Sequence, residues 1–187
     1  MEDRLLDKIA EPFNLNLPEY ESMEVMIDSI LPAVRGFGRR DLTDDGIPMY
    51  NVDWVFMSDK PGDTVVSLHT FIAQTGEIRI ANDGAMDSMS FKVLSSNRVI
   101  IGESSVRNAY LYELAFMDED FMIFKRHGNE ANIKKKYRFY CREAIGTRLT
   151  WNEALEKIVD KYRNNEFPWT IVLVVIAVAL AVLVYLR

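Results

Sequence analysis

The chain has 187 residues, with 28 acidic against 22 basic side chains and a formal net charge of −6. That balance argues against a general nucleic-acid binder, which normally presents a basic surface. One cysteine and two histidines leave no His/Cys set with zinc spacing.

The opening residues, Met1-Glu-Asp-Arg-Leu-Leu-Asp-Lys8, are acidic, with no apolar h-region or cleavage site, so no signal peptide is read there. Leu5, Leu6 and Ile9 share one face of a short helix, and Met23, Met26, Ile27, Ile30, Leu31 and Val34 predict a longer one. Pro18 suits the start of the second helix, Pro32 should kink or end it, and Gly36 and Gly38 stop it. Asp41-Leu-Thr-Asp-Asp-Gly46 is similar to the start of a calcium loop. The position for its bidentate Glu is Val52, so it reads as a polar loop.

From about Tyr50 the period changes to two. Val52, Trp54 and Phe56 alternate, as do Val66, Leu68, Thr70 and Ile72; Ile78 and Ile80; and Met89, Phe91 and Val93. The pattern continues through Val99 and Ile101; Tyr110, Tyr112, Leu114 and Phe116; Phe121 and Ile123; and Tyr137, Phe139 and Cys141. Short turn-forming clusters separate the segments, among them Gln74-Thr-Gly76, Asn82-Asp-Gly84 and Asp118-Glu-Asp120. Short turns imply antiparallel neighbours. An eight-strand meander has to curl and close to protect its edges, so an up-and-down barrel or strongly curved half-barrel is expected, with a two-sheet sandwich as the alternative.

Basic residues concentrate near the last two strands: Lys125, Arg126 and His127, then Lys134, Lys135, Lys136, Arg138 and Arg142. Read as one hairpin patch, they suit anionic lipid headgroups or an anionic ligand such as a phosphate, or are simply a solvated hairpin. Carboxylates such as Asp53 and Glu113 could meet on one barrel face, but no spacing marks an acid–base pair. His69 in mid-strand reads as a surface or hydrogen-bonded core residue, and no phosphate-cradling glycine loop is present. No catalytic residue, metal site or cofactor is assigned.

Thr150-Trp-Asn-Glu153 is a capping box that starts a helix whose apolar face is Trp151, Leu155, Ile158, Val159 and Tyr162. Glu153, Glu156 and Asp160 favour packing on the barrel over an anionic leaflet. Residues 167–186 then carry no charge, long enough to cross a bilayer once as a helix. Trp169 and Tyr185 suit the interfaces and Arg187 can snorkel. Lys157, Lys161 and Arg163 precede this stretch, so the positive-inside rule puts the N-terminal part in the cytoplasm, with a bacterial inner membrane favoured. Ala177 and Ala181 form a small-xxx-small pair that would permit close helix contact, hence a homo-oligomer.

The expected division is a helical segment over 1–49, a β-meander over 50–149, an amphipathic helix over 150–166 and a membrane anchor over 167–187. The Trp54 opening, the run Gly76-Glu-Ile-Arg-Ile-Ala-Asn-Asp-Gly84 and the meander order resemble lipocalin-like, or calycin-like, small barrels. That resemblance implies an interior either filled by side chains or holding one small ligand. The overall plan also resembles bacterial membrane-anchored β-barrel effectors of cyclic-nucleotide antiphage defence, which implies a sensing barrel and membrane-disrupting segments. The expected function is a tail-anchored, non-catalytic module that binds a protein partner or small ligand.

Overall fold

Eight strands form where the period-two segments lie: β1 Asp53–Phe56, β2 Ser67–Ile72, β3 Glu77–Asn82, β4 Ala85–Ser95, β5 Arg98–Gly102, β6 Ala109–Met117, β7 Phe121–Arg126 and β8 Tyr137–Arg142. The computed structural model describes residues 20–38, 41–44, 46–62, 65–102, 109–128 and 135–163. Each strand pairs antiparallel with the next, and β8 returns to β1 through Trp54–Arg142, Val55–Cys141 and Phe56–Tyr140. The sheet is therefore a closed up-and-down barrel. Asp83 and Gly84, at φ 46 and 83, make the two-residue turn between β3 and β4, the left-handed geometry that matches strand twist.

Alternation along the strands separates two cores. Trp54, Phe71, Ile78, Ile80, Phe91, Val99, Ile101, Tyr112, Leu114, Met122, Phe124 and Tyr140 fill the interior. The opposite faces of β1, β7 and β8 supply Val55, Met57, Phe121, Ile123, Tyr137, Phe139 and Cys141 to an outer core beneath the helices.

Those helices are α1 (Met23–Val34), which precedes β1, and α3 (Trp151–Arg163), which follows β8 after the single turn α2 (Glu143–Gly146). The α1 stripe Met23, Met26, Ile27, Ile30 and Val34 is buried, and the Ser22 hydroxyl accepts from Val25 N–H at 3.3 Å as N-cap. The helix continues through Pro32 to Val34 instead of ending at the proline. Val34, 1% exposed, packs into the outer core and holds the last turn despite the missing N–H. In α3 the Glu153 carboxylate reaches back to Thr150 N–H at 2.8 Å, but the Thr150 hydroxyl donates to that carboxylate at 2.7 Å. Ala154, Leu155, Ile158, Val159 and Tyr162 face the barrel.

The two ends of the barrel differ. Residues 41–50 cross one end and put Leu42, Ile47 and Met49 into the interior core. Leu42 N–H donates to Ser96 C=O at 2.6 Å, and the Trp54 indole donates to Met49 C=O at 3.1 Å. We call this the plugged end: in the polar loop expected over 41–46, Asp41 and Asp44 form Asx turns and Leu42 alone is buried among the described residues, and Ile47 and Met49 beyond it complete an apolar stopper. At the opposite end, which we call the loop end, β1, β3, β5 and β7 finish and β2, β4, β6 and β8 begin.

Both long helices run from the loop end to the plugged end. Met23 N–H donates to Asp59 at 3.0 Å beside β1's exit, whereas Phe37, just past α1, stacks on Tyr162 at 4.9 Å. Lys161 and Tyr162 reach the β6–β7 turn through Asp118 at 2.9 and 2.5 Å.

The helix expected around Leu5, Leu6 and Ile9, the proline at 18, Lys134, and the tail with Trp169, Ala177, Ala181, Tyr185 and Arg187 lie outside the described residues. Among the described residues no helix is long and apolar enough to cross a membrane.

Candidate functional site

Strand alternation disperses the basic residues expected to form one patch. On β8, Tyr137, Phe139 and Cys141 belong to the outer core, which sends Arg138, Tyr140 and Arg142 inward. Arg142 lies at the plugged end, where its Nε donates to Glu119 C=O at 2.8 Å and its guanidinium sits 4.8 Å from the Trp54 ring. At the loop end, Arg126 lies 3.6 Å over the Tyr110 ring and His127 Nδ1 meets Glu113 at 3.2 Å. Lys136 bridges to α1, donating from Nζ to both Asp28 oxygens at 2.8 and 2.7 Å and from its backbone N–H to Glu24 at 2.6 Å. Lys135 is exposed at φ 61, and Lys125 pairs across the hairpin with Tyr137.

Lys125, Arg126, Lys135 and Lys136 also stand far from the end of α3. Arg163 ends α3 at the plugged end, while Arg126 ends β7 and Tyr137 begins β8 at the other end, a separation of about 20 Å along six-residue strands. Asp53 and Glu113 do not meet. Asp53 accepts from the Thr70 hydroxyl on β2, and Glu113 pairs with Arg98 at 3.3 Å on β6's outer surface.

The loop end gathers a different set, with Arg138 at its centre. Its Nε donates to Tyr112 Oη at 3.1 Å, and its Nη1 to Tyr140 Oη at 3.2 Å, with Met89 Sδ at 4.0 Å. The guanidinium is 5.6 Å from the Phe56 ring and 5.4 Å from the Tyr112 ring. Burial opposes the charge, and the oxygens of Tyr140 and Tyr112 outweigh it and hold Arg138 more firmly protonated than usual. Burial pushes the Tyr140 hydroxyl up, so it stays a neutral hydrogen-bonding group there.

Phe56 stacks in turn on His69 at 5.4 Å. His69 is 3% exposed; its Nε2 shares a hydrogen bond with Ser67 Oγ at 2.9 Å, and its Nδ1 has no partner among the described residues. Burial, followed by the charge of Arg138, pushes its pKa down to about 4, so the ring is neutral at pH 7. Ser67 pairs across the sheet with Asn82, whose Oδ1 is also buried without a described partner. Most buried polar atoms in folded proteins are bonded, so two such atoms in one region are notable.

Phe56, Ser67 and Asn82 form one wall of a cleft of about 730 Å³ at this end. Lys60 and Pro61 from the β1–β2 connection and Leu149 and Trp151 from the start of α3 complete it. Its size suits a small organic molecule, and its lining mixes apolar rings with a few polar groups. Among the described residues no cluster of three or more His, Cys, Asp or Glu side chains is arranged to hold a metal ion.

The alternation that makes Tyr137, Phe139 and Cys141 one face makes Arg138 and Tyr140 the other, which is the sequence signal for this interior arginine. Ser67, Asn82 and the cleft had no such signal, since they depend on closure bringing β1, β2, β3 and α3 together. Comparisons with family models, with curated proteins and with solved structures give no match.

Proposed function

We propose that the chain is a non-catalytic binding module, held on the cytoplasmic side of a membrane by residues 167–187, whose barrel takes a small ligand at its loop end. One observation carries this reading: Asn82 Oδ1, on a residue that lines a cleft of about 730 Å³, and His69 Nδ1, on the ring stacked against Phe56, are buried without a partner among the described residues. At the plugged end Leu42, Ile47 and Met49 fill the barrel interior, and the cleft there, lined by Asn51, Asp53, Asp120 and Arg142, is smaller at about 450 Å³. The fold has the eight-stranded up-and-down plan of the calycin-like barrels that the Trp54 opening resembles, although fold alone does not choose a ligand.

The tether also gives the barrel an orientation. Three residues separate Arg163 from Phe167, a reach of about 11–14 Å with the joining bonds. With residues 167–187 in a bilayer, the plugged end faces the lipid and the loop end faces away.

Two measurements test the proposal. Membrane fractionation of the full chain and of a chain ending at Asn165 should move the protein from pellet to supernatant; a shortened chain that still sediments overturns the tether. Screening the full chain against small metabolites by native mass spectrometry should find a bound species that Asn82→Leu weakens, and a ligand indifferent to that change refutes the cleft.

A second reading has ligand binding cluster the tails through Ala177 and Ala181 and breach the membrane, as the plan of the antiphage effectors implies. Its support is the union of a closed barrel with an uncharged terminal segment. Membrane potential followed during induction separates the two, because an unchanged potential with ligand present excludes the second.

A further inference from the structure

Arg138, held inside the barrel, is met differently from the cations that reach a carboxylate. Arg98, Lys136, Lys161 and Arg163 each lie within 3.3 Å of a carboxylate. No carboxylate reaches Arg138 among the described residues, although its side chain points into the barrel. Its described partners are two phenol hydroxyls and a thioether. These neutral groups orient a guanidinium but do not balance its charge, and a charge taken from water without a counter-charge loses several kcal/mol. The fork is also only part used, since Nε and Nη1 donate within the protein and no described acceptor meets Nη2.

We propose that the loop end binds a small organic oxyanion, a phosphate or carboxylate carried on a planar apolar body, with the oxyanion on Arg138 and the body in the cleft against Phe56. This rests on the loop-end binding reading above and names the ligand's chemistry. A guanidinium fork matches the paired oxygens of either headgroup, and its fixed plane favours two-point contact. Tyr112 and Tyr140 hold the fork, and Phe56, whose ring is 5.6 Å from the guanidinium and which also lines the cleft, joins the charged and apolar halves. The unpartnered His69 Nδ1 behind Phe56 adds polar capacity to the same region. The remainder of the interior is packed with Trp54, Phe71, Phe91, Phe124 and Tyr140, which confines the ligand to this end.

The test uses the full chain in detergent micelles and titration calorimetry with three probes sharing one ring: 1-naphthyl phosphate, 1-naphthoate and uncharged 1-naphthamide. At least one anion is expected to bind roughly ten-fold tighter than the amide. The stronger of the two identifies the headgroup as phosphate or carboxylate. Arg138→Gln should bring the preferred anion to the amide's affinity without changing the amide. Arg138→Lys keeps the charge without the fork and should restore part of the difference; it also provides the comparison if the Gln variant does not fold, as judged by circular dichroism. Equal binding of all three probes, or an anion preference that survives loss of the guanidinium in a folded variant, overturns the oxyanion assignment while leaving loop-end binding in place. Failure of all three probes to bind overturns both.

Discussion

Protonating His69 should unfold the barrel's interior from within. The ring is neutral in the folded chain, with its pKa at about 4 against an ordinary 6.5, because burial and then the nearby Arg138 charge oppose a second positive charge. The unfolded chain therefore binds more protons between these values, so stability rises with pH across the window. The contribution is complete above about pH 6.5, declines as pH falls, and is gone once pH passes below about 4. At 1.36 kcal/mol per unit, that interval amounts to about 3 kcal/mol. Urea unfolding of the wild-type chain and of His69→Gln should be compared at pH 7.5, 6, 5 and 4. The carboxylates titrate in both proteins, so the difference between the two free energies isolates the histidine. The wild type should lose about 3 kcal/mol relative to the variant from the top of the series to the bottom. A difference that stays constant to within about 0.5 kcal/mol across the series would falsify the placement of a neutral imidazole inside the barrel.

Other perturbations address the outer core and its anchoring. Gly146→Ala sets a Cβ at 2.5 Å from Val55 Cβ, and the resulting overpacking should lower stability by about 1–3 kcal/mol in the same unfolding assay. Asp118→Ala removes the acceptor for Asp120 and Phe121 N–H, both at 2.8 Å, and for Lys161 and Tyr162. A loss of about 3 kcal/mol is expected, with faster hydrogen exchange in the β6–β7 turn and the last turn of α3. Cys141 is buried and its thiol is pushed up by burial and by Asp118 and Asp120, so a thiol reagent should label it only as fast as the barrel opens. Immediate labelling in the folded protein would contradict its place beneath the helices.

The strands were legible because local and global preferences agree. Ile78 and Ile80 alternate with Glu77 and Arg79, and the Asp83–Gly84 turn that follows takes the left-handed geometry its residues favour. Residues 41–50 were harder, because Leu42, Ile47 and Met49 stand singly among turn formers. Their burial arises from lying across the barrel mouth, a placement no short window encodes. The β7–β8 hairpin misled for a different reason. Both faces of β8 are covered, one by the helices and one by the interior, so the contrast between wet and dry faces disappears there. The run of cations consequently looked like one surface, whereas Arg138 and Lys136 point to opposite sides of the wall.

The position of the two long helices bears on how the chain reaches its native state. Seven of the strand pairs join neighbours along the chain, and only the eighth, Trp54 with Arg142 and the pairs beside it, spans nearly the whole domain. That contact carries the largest loop-closure entropy and has the least local sequence to guide it. The outer core lies over that join: Val55 and Met57 from one side and Phe139 and Cys141 from the other are covered by α1 and α3. A segment preceding the first strand and one following the last thus clasp the slowest-forming edge of the wall, which makes docking of the terminal helices a late, cooperative step that commits the chain to its folded form.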